Sequence, residues 1–199
     1  MSTQLTQSDQ DVSYPFLSDV AAIRQRARHH IRHCVAAPGT HAATETALRL
    51  LEEALAIELS RMCRNGSRLC IVDGAEAAAF GDECPRNSRV EHRHADRIAV
   101  RILQLGGKPR FTCAEMADLG ESAHTECDSL ADRIEEDLIV EGIAVESYSE
   151  MIQYLGGRDP TTLQLFESIL GVAKQRLREL ARTREQMLRR NCNAAGATP

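Results

Sequence analysis

Tryptophan is absent from this chain, and it has only three Tyr and four Phe in 199 residues. A sheet-built core leans on β-branched and aromatic residues. A composition rich in Ala, Leu, Ile, Glu and Arg and poor in runs of such residues predicts an all-α protein. No stretch approaches the roughly 20 continuous apolar residues of a membrane span. The opening MSTQLTQSDQDVSYP lacks the basic-then-apolar plan of a secretory leader, so a cytoplasmic location is expected. None of the seven cysteines falls in a C-x-x-C pair, and reduced thiols are expected. The formal net charge of −5 is too small to argue for or against a nucleic-acid partner. No phosphate-binding glycine loop or nucleophile motif is present.

What remains is a succession of amphipathic segments. Residues 1–17 read as a polar flexible lead, 18–190 as one helical domain and 191–199 as a small, polar flexible tail. A short helix from Val20 to Cys34 is rich in Arg and His, as a solvated flank helix would be, or a phosphate-binding surface. Its adjacent His29 and His30 diverge by about 100° and do not form a metal pair. Four longer helices follow. The first runs from about Thr44 to Arg64, with Asn65-Gly66 as an interruption or end. The second is clear from Ser88 to Leu105, with Pro85 upstream as a kink or break and Gly106-Gly107 as a stop. The third runs from Ser129 to Leu155. The fourth opens at Asp159-Pro160, an N-cap followed by a first-turn proline. About 20 residues join the second and third helices, enough to return along a bundle some 35–40 Å long. These two helices are therefore expected to run parallel, joined by a crossover.

Three of the apolar stripes are broken by charge. Glu58 sits among Leu51, Ala54, Leu55 and Met62. Glu91 and His94 precede Ile98 and Ile102. Glu141 lies among Ile134, Leu138, Val145 and Tyr148. An uncompensated buried carboxylate costs several kcal/mol, so these groups require a cation. Glu91 and His94 are three residues apart and share a helix face. One carboxylate from each of two helices and a Glu-x-x-His from another are recurring parts of a bundle-core metal site. The candidate ligands are Glu58, Glu91, His94 and Glu141.

The segments HADRIAVRILQLGGKPRF, EEDLIVEGIAVESYSEMI and YLGGRDPTTLQLFESIL resemble consecutive blocks of a bacterioferritin-like family in the ferritin-like superfamily. FLSDVAAIRQRAR and LRLLEEALAIEL resemble its N-terminal blocks. The resemblance covers most of Phe16 to Leu170. It implies a ferritin-like four-helix bundle with an extra N-terminal helix, an oligomeric assembly and iron oxidation and storage at a di-iron site. It also implies a Glu-x-x-His on the fourth helix, where this chain has Ala173 and Arg176. The Arg-Tyr and following His near the end of the first helix are Arg64-Asn65 and Arg68 here, and the third helix's Glu-Arg is Glu141-Gly142.

The expectation is iron binding or storage with an incomplete di-iron centre. The alternatives are a non-catalytic subunit of a homo-oligomer or of a mixed assembly with an active paralogue, and a DNA-protecting relative using the basic segments. Arg176 is the candidate cation that replaces metal. Haem is not expected, because the position after Glu91 is His92 beside Arg93, a solvated pattern rather than the Met of haem-binding members.

Overall fold

The computed structural model describes residues 15–34, 40–68, 83–110 and 130–195. Among these residues there are five helices and no strand. They are α1 (Pro15–Cys34), α2 (Thr40–Arg68), α3 (Glu83–Gln104), α4 (Leu130–Leu155) and α5 (Pro160–Ala195). None of the described helices is long and apolar enough to cross a membrane.

Side-chain pairs fix the helix directions. Arg101 of α3 meets Asp159 and Thr162 at the start of α5, while Glu91 meets Arg176 further along it. The rings of Tyr148 and Phe166 pack edge to face, and Glu135 pairs with Arg184. Both α3 and α4 are therefore antiparallel to α5, so they run parallel to each other. Gln104 and Leu130 lie at opposite ends of the bundle, and the chain between them must cross its length. This is the predicted crossover; the connecting residues 111–129 lie outside the described ones.

The core is mostly aliphatic, with Leu50, Leu51, Ile57, Ile98, Ile102 and Ile169 fully buried together with Phe166. The extra helix α1 lies in the groove between α2 and α4. It buries Val20, Ile23 and Ala27 there, and Val20 packs with Val140 of α4. Its arginines bind carboxylates of the bundle: Arg26 meets Glu53, Arg24 meets Glu146 and Glu150, and Arg28 meets Glu150. Three of the arginines offered to phosphate in the DNA reading are thus engaged within the chain.

Several boundaries differ from the sequence reading. The helix α1 begins at Pro15, inside the expected 1–17 lead. Asn65-Gly66 does not end α2, which continues to Arg68, because Asn65 is tied to two other helices (below). Pro85 lies in the first turn of α3, where a missing N–H removes no helical hydrogen bond. The last helix reaches Ala195, five residues into the expected 191–199 tail.

At the end of α3, Gly106 adopts φ +79°. Its N–H donates to the Leu103 carbonyl and that of Gly107 to the Ile102 carbonyl, a Schellman ending. A Cβ on Gly107 would lie 2.6 Å from Leu48 Cδ2. At the other turn, Asp159 caps α5 by accepting from the Thr162 N–H at 3.1 Å while receiving Arg101.

Candidate functional site

Glu58, Glu91, His94 and Glu141 converge on the bundle interior, where all four are buried. The helix face that buries Leu51, Ala54 and Leu55 also carries Glu58, and one turn later Arg61. The sequence reading ran this stripe through Met62. In the structure Met62 is half-buried, whereas Arg61 is 3% exposed and sits among the glutamates.

The Arg61 guanidinium joins three helices. Its Nη1 donates to Glu58 Oε1 at 3.0 Å. Its Nη2 donates to Glu141 Oε1 and Oε2 at 2.9 and 2.8 Å, and lies 3.7 Å from Glu91 Oε1. Arg176 approaches from α5. Its Nη1 donates to Glu91 Oε1 at 2.5 Å, and its Nε lies 3.3 Å from Glu141 Oε1. Asn65 bridges the two sides, with Nδ2 donating to Glu91 Oε2 at 2.6 Å and Oδ1 accepting from Arg176 Nη2 at 3.1 Å. Thus Arg176 reaches the cluster from the place expected for the fourth-helix ligand, but Arg61 fills its centre.

Glu58 is the most fully held of the three. Besides Arg61 it accepts from Tyr148 Oη at 2.8 Å, and His94 Nδ1 lies 3.0 Å from its Oε2. A carboxylate only accepts, so the proton of this contact resides on Nδ1. Burial pushes the Glu58 pKa up, but Arg61, His94 and Tyr148 outweigh burial and hold it below the usual carboxylate value. At Glu91 burial prevails over Arg61 and Arg176, and its pKa lies above the usual value. Burial alone would lower the Arg61 pKa, but Glu141, Glu58 and Glu91 hold it well above its ordinary value. The Tyr148 hydroxyl is pushed well up, by burial first and then by the Glu58 charge.

A second buried ion network lies one turn away. Arg64 pairs with Glu136 and, through Nε at 3.2 Å, with Asp137. Accordingly α4 turns Glu136 and Asp137 inward, where the sequence reading put Leu138. A cleft of about 260 Å³, lined by Arg61, Asn65, Glu91, Asp137 and Arg176, opens on the cluster between α3 and α5.

This donor set does not fit a di-iron centre as it stands. A guanidinium has N–H donors, no acceptor lone pair and a permanent charge, and here it occupies the point at which the carboxylates converge. The carboxylate oxygens that a metal would use already receive N–H or O–H groups. Among the described residues, no three His, Cys, Asp or Glu side chains are placed to hold a metal ion. Ala173, where the resemblance implies a fourth-helix Glu, is 1% exposed and has no ligand atom in its side chain.

A helical bundle with paired antiparallel hairpins, one crossover and a core carboxylate cluster defines the class of protein. The ferritin-like domain family matches residues 38–189, and the chain belongs to that family. No curated protein matches it in sequence. The bacterioferritin of Desulfovibrio desulfuricans, whose structures describe a diiron site in different catalytic states, is 22% identical with a TM-score of 0.61; the match covers 77% of this chain and 86% of that one. A bacterioferritin-related dodecameric thioferritin from Bacteroides fragilis is 19% identical with a TM-score of 0.65, covering 83% of this chain and 98% of that one. At these identities the two structures establish the shared fold. The bundle, its crossover and the family thus agree with the sequence reading.

Proposed function

We propose that this protein is an iron-storage-type member of the ferritin-like family with an incomplete di-iron centre, serving as a non-catalytic subunit of an oligomeric assembly. The observation that carries the reading is the Arg61 guanidinium bonded to Glu58 and Glu141 inside the bundle. With Arg176 it gives two fixed positive charges against the three carboxylates, which supports a scaffold stable without metal. The alternation of carboxylate and guanidinium replaces the cation that an oxidation site needs with one that the chain supplies itself.

A metal at this position would draw on Glu58, Glu91, His94 and Glu141, and would require Arg61 to leave. Iron supplies oxidation chemistry when bound in such a set. What this chain's residues do is orient the carboxylates and supply their counter-charge, through Tyr148, His94, Asn65 and the two arginines. Iron handling by the assembly then rests on its interior surface or on an active paralogue in the same shell. The B. fragilis protein is a dodecamer, and an oligomer is proposed for this chain on the shared fold.

The test is oxygen consumption and ferric absorbance after adding Fe²⁺ to purified protein, alone and co-assembled with a ferroxidase-active ferritin. The expected result is no oxidation above the protein-free rate when alone, with iron retained by the mixed assembly. Stoichiometric rapid oxidation by the chain alone would overturn the reading.

A further inference from the structure

We propose that His29 and His33, on the outward face of α1, form a binding site for one divalent transition ion of the borderline class, Cu²⁺, Ni²⁺ or Zn²⁺. The two residues are one helical turn apart, the spacing that puts side chains on the same face. Both are exposed, and their ring centroids stand 3.9 Å apart with 36° between the planes. This is a different pairing from the adjacent His29 and His30, which the helix directs apart.

The hydrogen bonding prepares one ring for the task. The His33 Nδ1 lies 3.0 Å from the His29 carbonyl oxygen. A carbonyl only accepts, so Nδ1 carries a proton, and in the neutral ring the lone pair is on Nε2. An imidazole anchored through one nitrogen to a backbone carbonyl is the usual state of a metal-binding histidine. The ion would be held through His33 Nε2 and a ring nitrogen of His29 at the roughly 2.0–2.1 Å of an ion–nitrogen bond, with water filling the remaining positions.

The surroundings separate this pair from its neighbours. The His30 ring is 6.0 Å from that of His29 and inclined at 75°, and its Nε2 lies 3.5 Å from Glu53. It turns toward α2 and stays out of the set. Of the cationic groups nearby, Arg26 is matched by Glu53 and Arg28 by Glu150, while Arg32, beside His33, is exposed to solvent. Imidazole ligands and the Irving–Williams order put Cu²⁺ above Ni²⁺ and Zn²⁺, and Fe²⁺ well below them. The site is therefore not a second iron centre. It lies outside the segment matched to the ferritin-like domain and does not depend on the arginine-filled cluster.

Calorimetric titration of the full-length protein with Ni²⁺ and with Zn²⁺ tests the proposal. Wild type is compared with His29→Ala, His33→Ala and His30→Ala, whose shared cysteine background cancels in the comparison. Circular dichroism confirms that each variant keeps its helices. The expected result is the loss of one ion equivalent, or at least a tenfold weakening, in His29→Ala and in His33→Ala, with His30→Ala like wild type. Long-range proton–nitrogen spectra should show His33 protonated on Nδ1 and its Nε2 resonance moving on Zn²⁺ addition. Identical isotherms in all four proteins, or a loss confined to His30→Ala, would overturn it.

Discussion

Arg61 Nη2 lies 2.8 Å from Glu141 Oε2, although 80 positions separate the two residues in the chain. The contact ties the first bundle helix to the third at the level where Glu58 and Glu91 also point inward. It makes Arg61 the principal internal counter-charge of the cluster.

Arg61→Ala removes that charge and leaves Glu58 and Glu141 without it. Breaking a buried pair from one side costs about 3–5 kcal/mol, and at about 2–4 °C per kcal/mol for a chain of this size the melting temperature falls clearly. Zn²⁺ or Fe²⁺ should recover part of the loss in Arg61→Ala and leave wild type unchanged. Equal melting of the two proteins would mean that the cluster does not rely on this arginine.

Arg176→Ala is expected to cost less, about 1.5–3 kcal/mol for lost charged hydrogen bonds, because Arg61 remains and Arg176 is nearer solvent. Arg176→Lys should recover only part of it, since an ammonium cannot span Glu91, Glu141 and Asn65 as the planar fork does. Denaturant midpoints of the three proteins order the effects. A larger loss for Arg176→Ala than for Arg61→Ala would reverse this assignment.

Restoring ligands is the complementary experiment. Arg61→Ala with Ala173→Glu and Arg176→His vacates the centre and supplies the Glu-x-x-His that the resemblance places on the fourth helix. Ala173 is buried one turn before Arg176, so its replacement enters the bundle interior. The triple variant should bind two iron ions and consume oxygen on Fe²⁺ addition, and wild type is expected to do neither. Failure of a folded triple variant to bind iron would show that more than these three positions separates this site from a working one.

Much of this centre was legible in the chain, for a definite reason. Glu58, Glu91, His94 and Glu141 each replace an apolar residue in a stripe, and a carboxylate there stands out. Arg61 did not stand out. Three- and four-residue steps from Glu58 both stay on one helix face, so the sequence pattern gives Met62 the inward position and singles out nothing at Arg61. Only its partners on α3 and α4, far away in sequence, turn it inward. Arg64 is hidden in the same way, since Glu136 and Asp137 explain its burial and belong to another helix. The crossover, by contrast, follows from connection length alone.

Acid should loosen α1 before the bundle. Glu150 is held below the usual carboxylate range, first by its hydrogen bond from Arg28, against burial and with help from Arg24. A carboxylate with a depressed folded pKa stabilises fully above its unfolded value and loses that contribution as pH falls through the folded one. The loss therefore sets in below about pH 4. Amide exchange in α1 should rise there, and Glu150→Gln should give the same faster exchange already at neutral pH. Unaltered exchange in the variant would assign α1 docking to its apolar contacts alone.

Gly107→Ala tests the turn after α3. A methyl there would meet Leu48 Cδ2 at 2.6 Å and Ile102 Cγ2 at 2.9 Å, so those side chains must shift. Overpacking of this kind costs about 1–3 kcal/mol, measurable as a lower denaturant midpoint. A neutral substitution would mean that both side chains yield freely.

The parallel course of α3 and α4 has a kinetic consequence. The chain contains two local hairpins, α2 with α3 and α4 with α5, each able to zip from its own short-range contacts. Their union is non-local and carries the loop-closure entropy of the crossover. Glu58, Arg61 and Glu91 arrive on one hairpin, Glu141 and Arg176 on the other. The first brings a surplus of negative charge and the second brings the remaining guanidinium. A docking slipped by one turn would strand these charges against aliphatic side chains, so the cluster acts as a proofreader of hairpin register, and the last step of folding is the one it inspects.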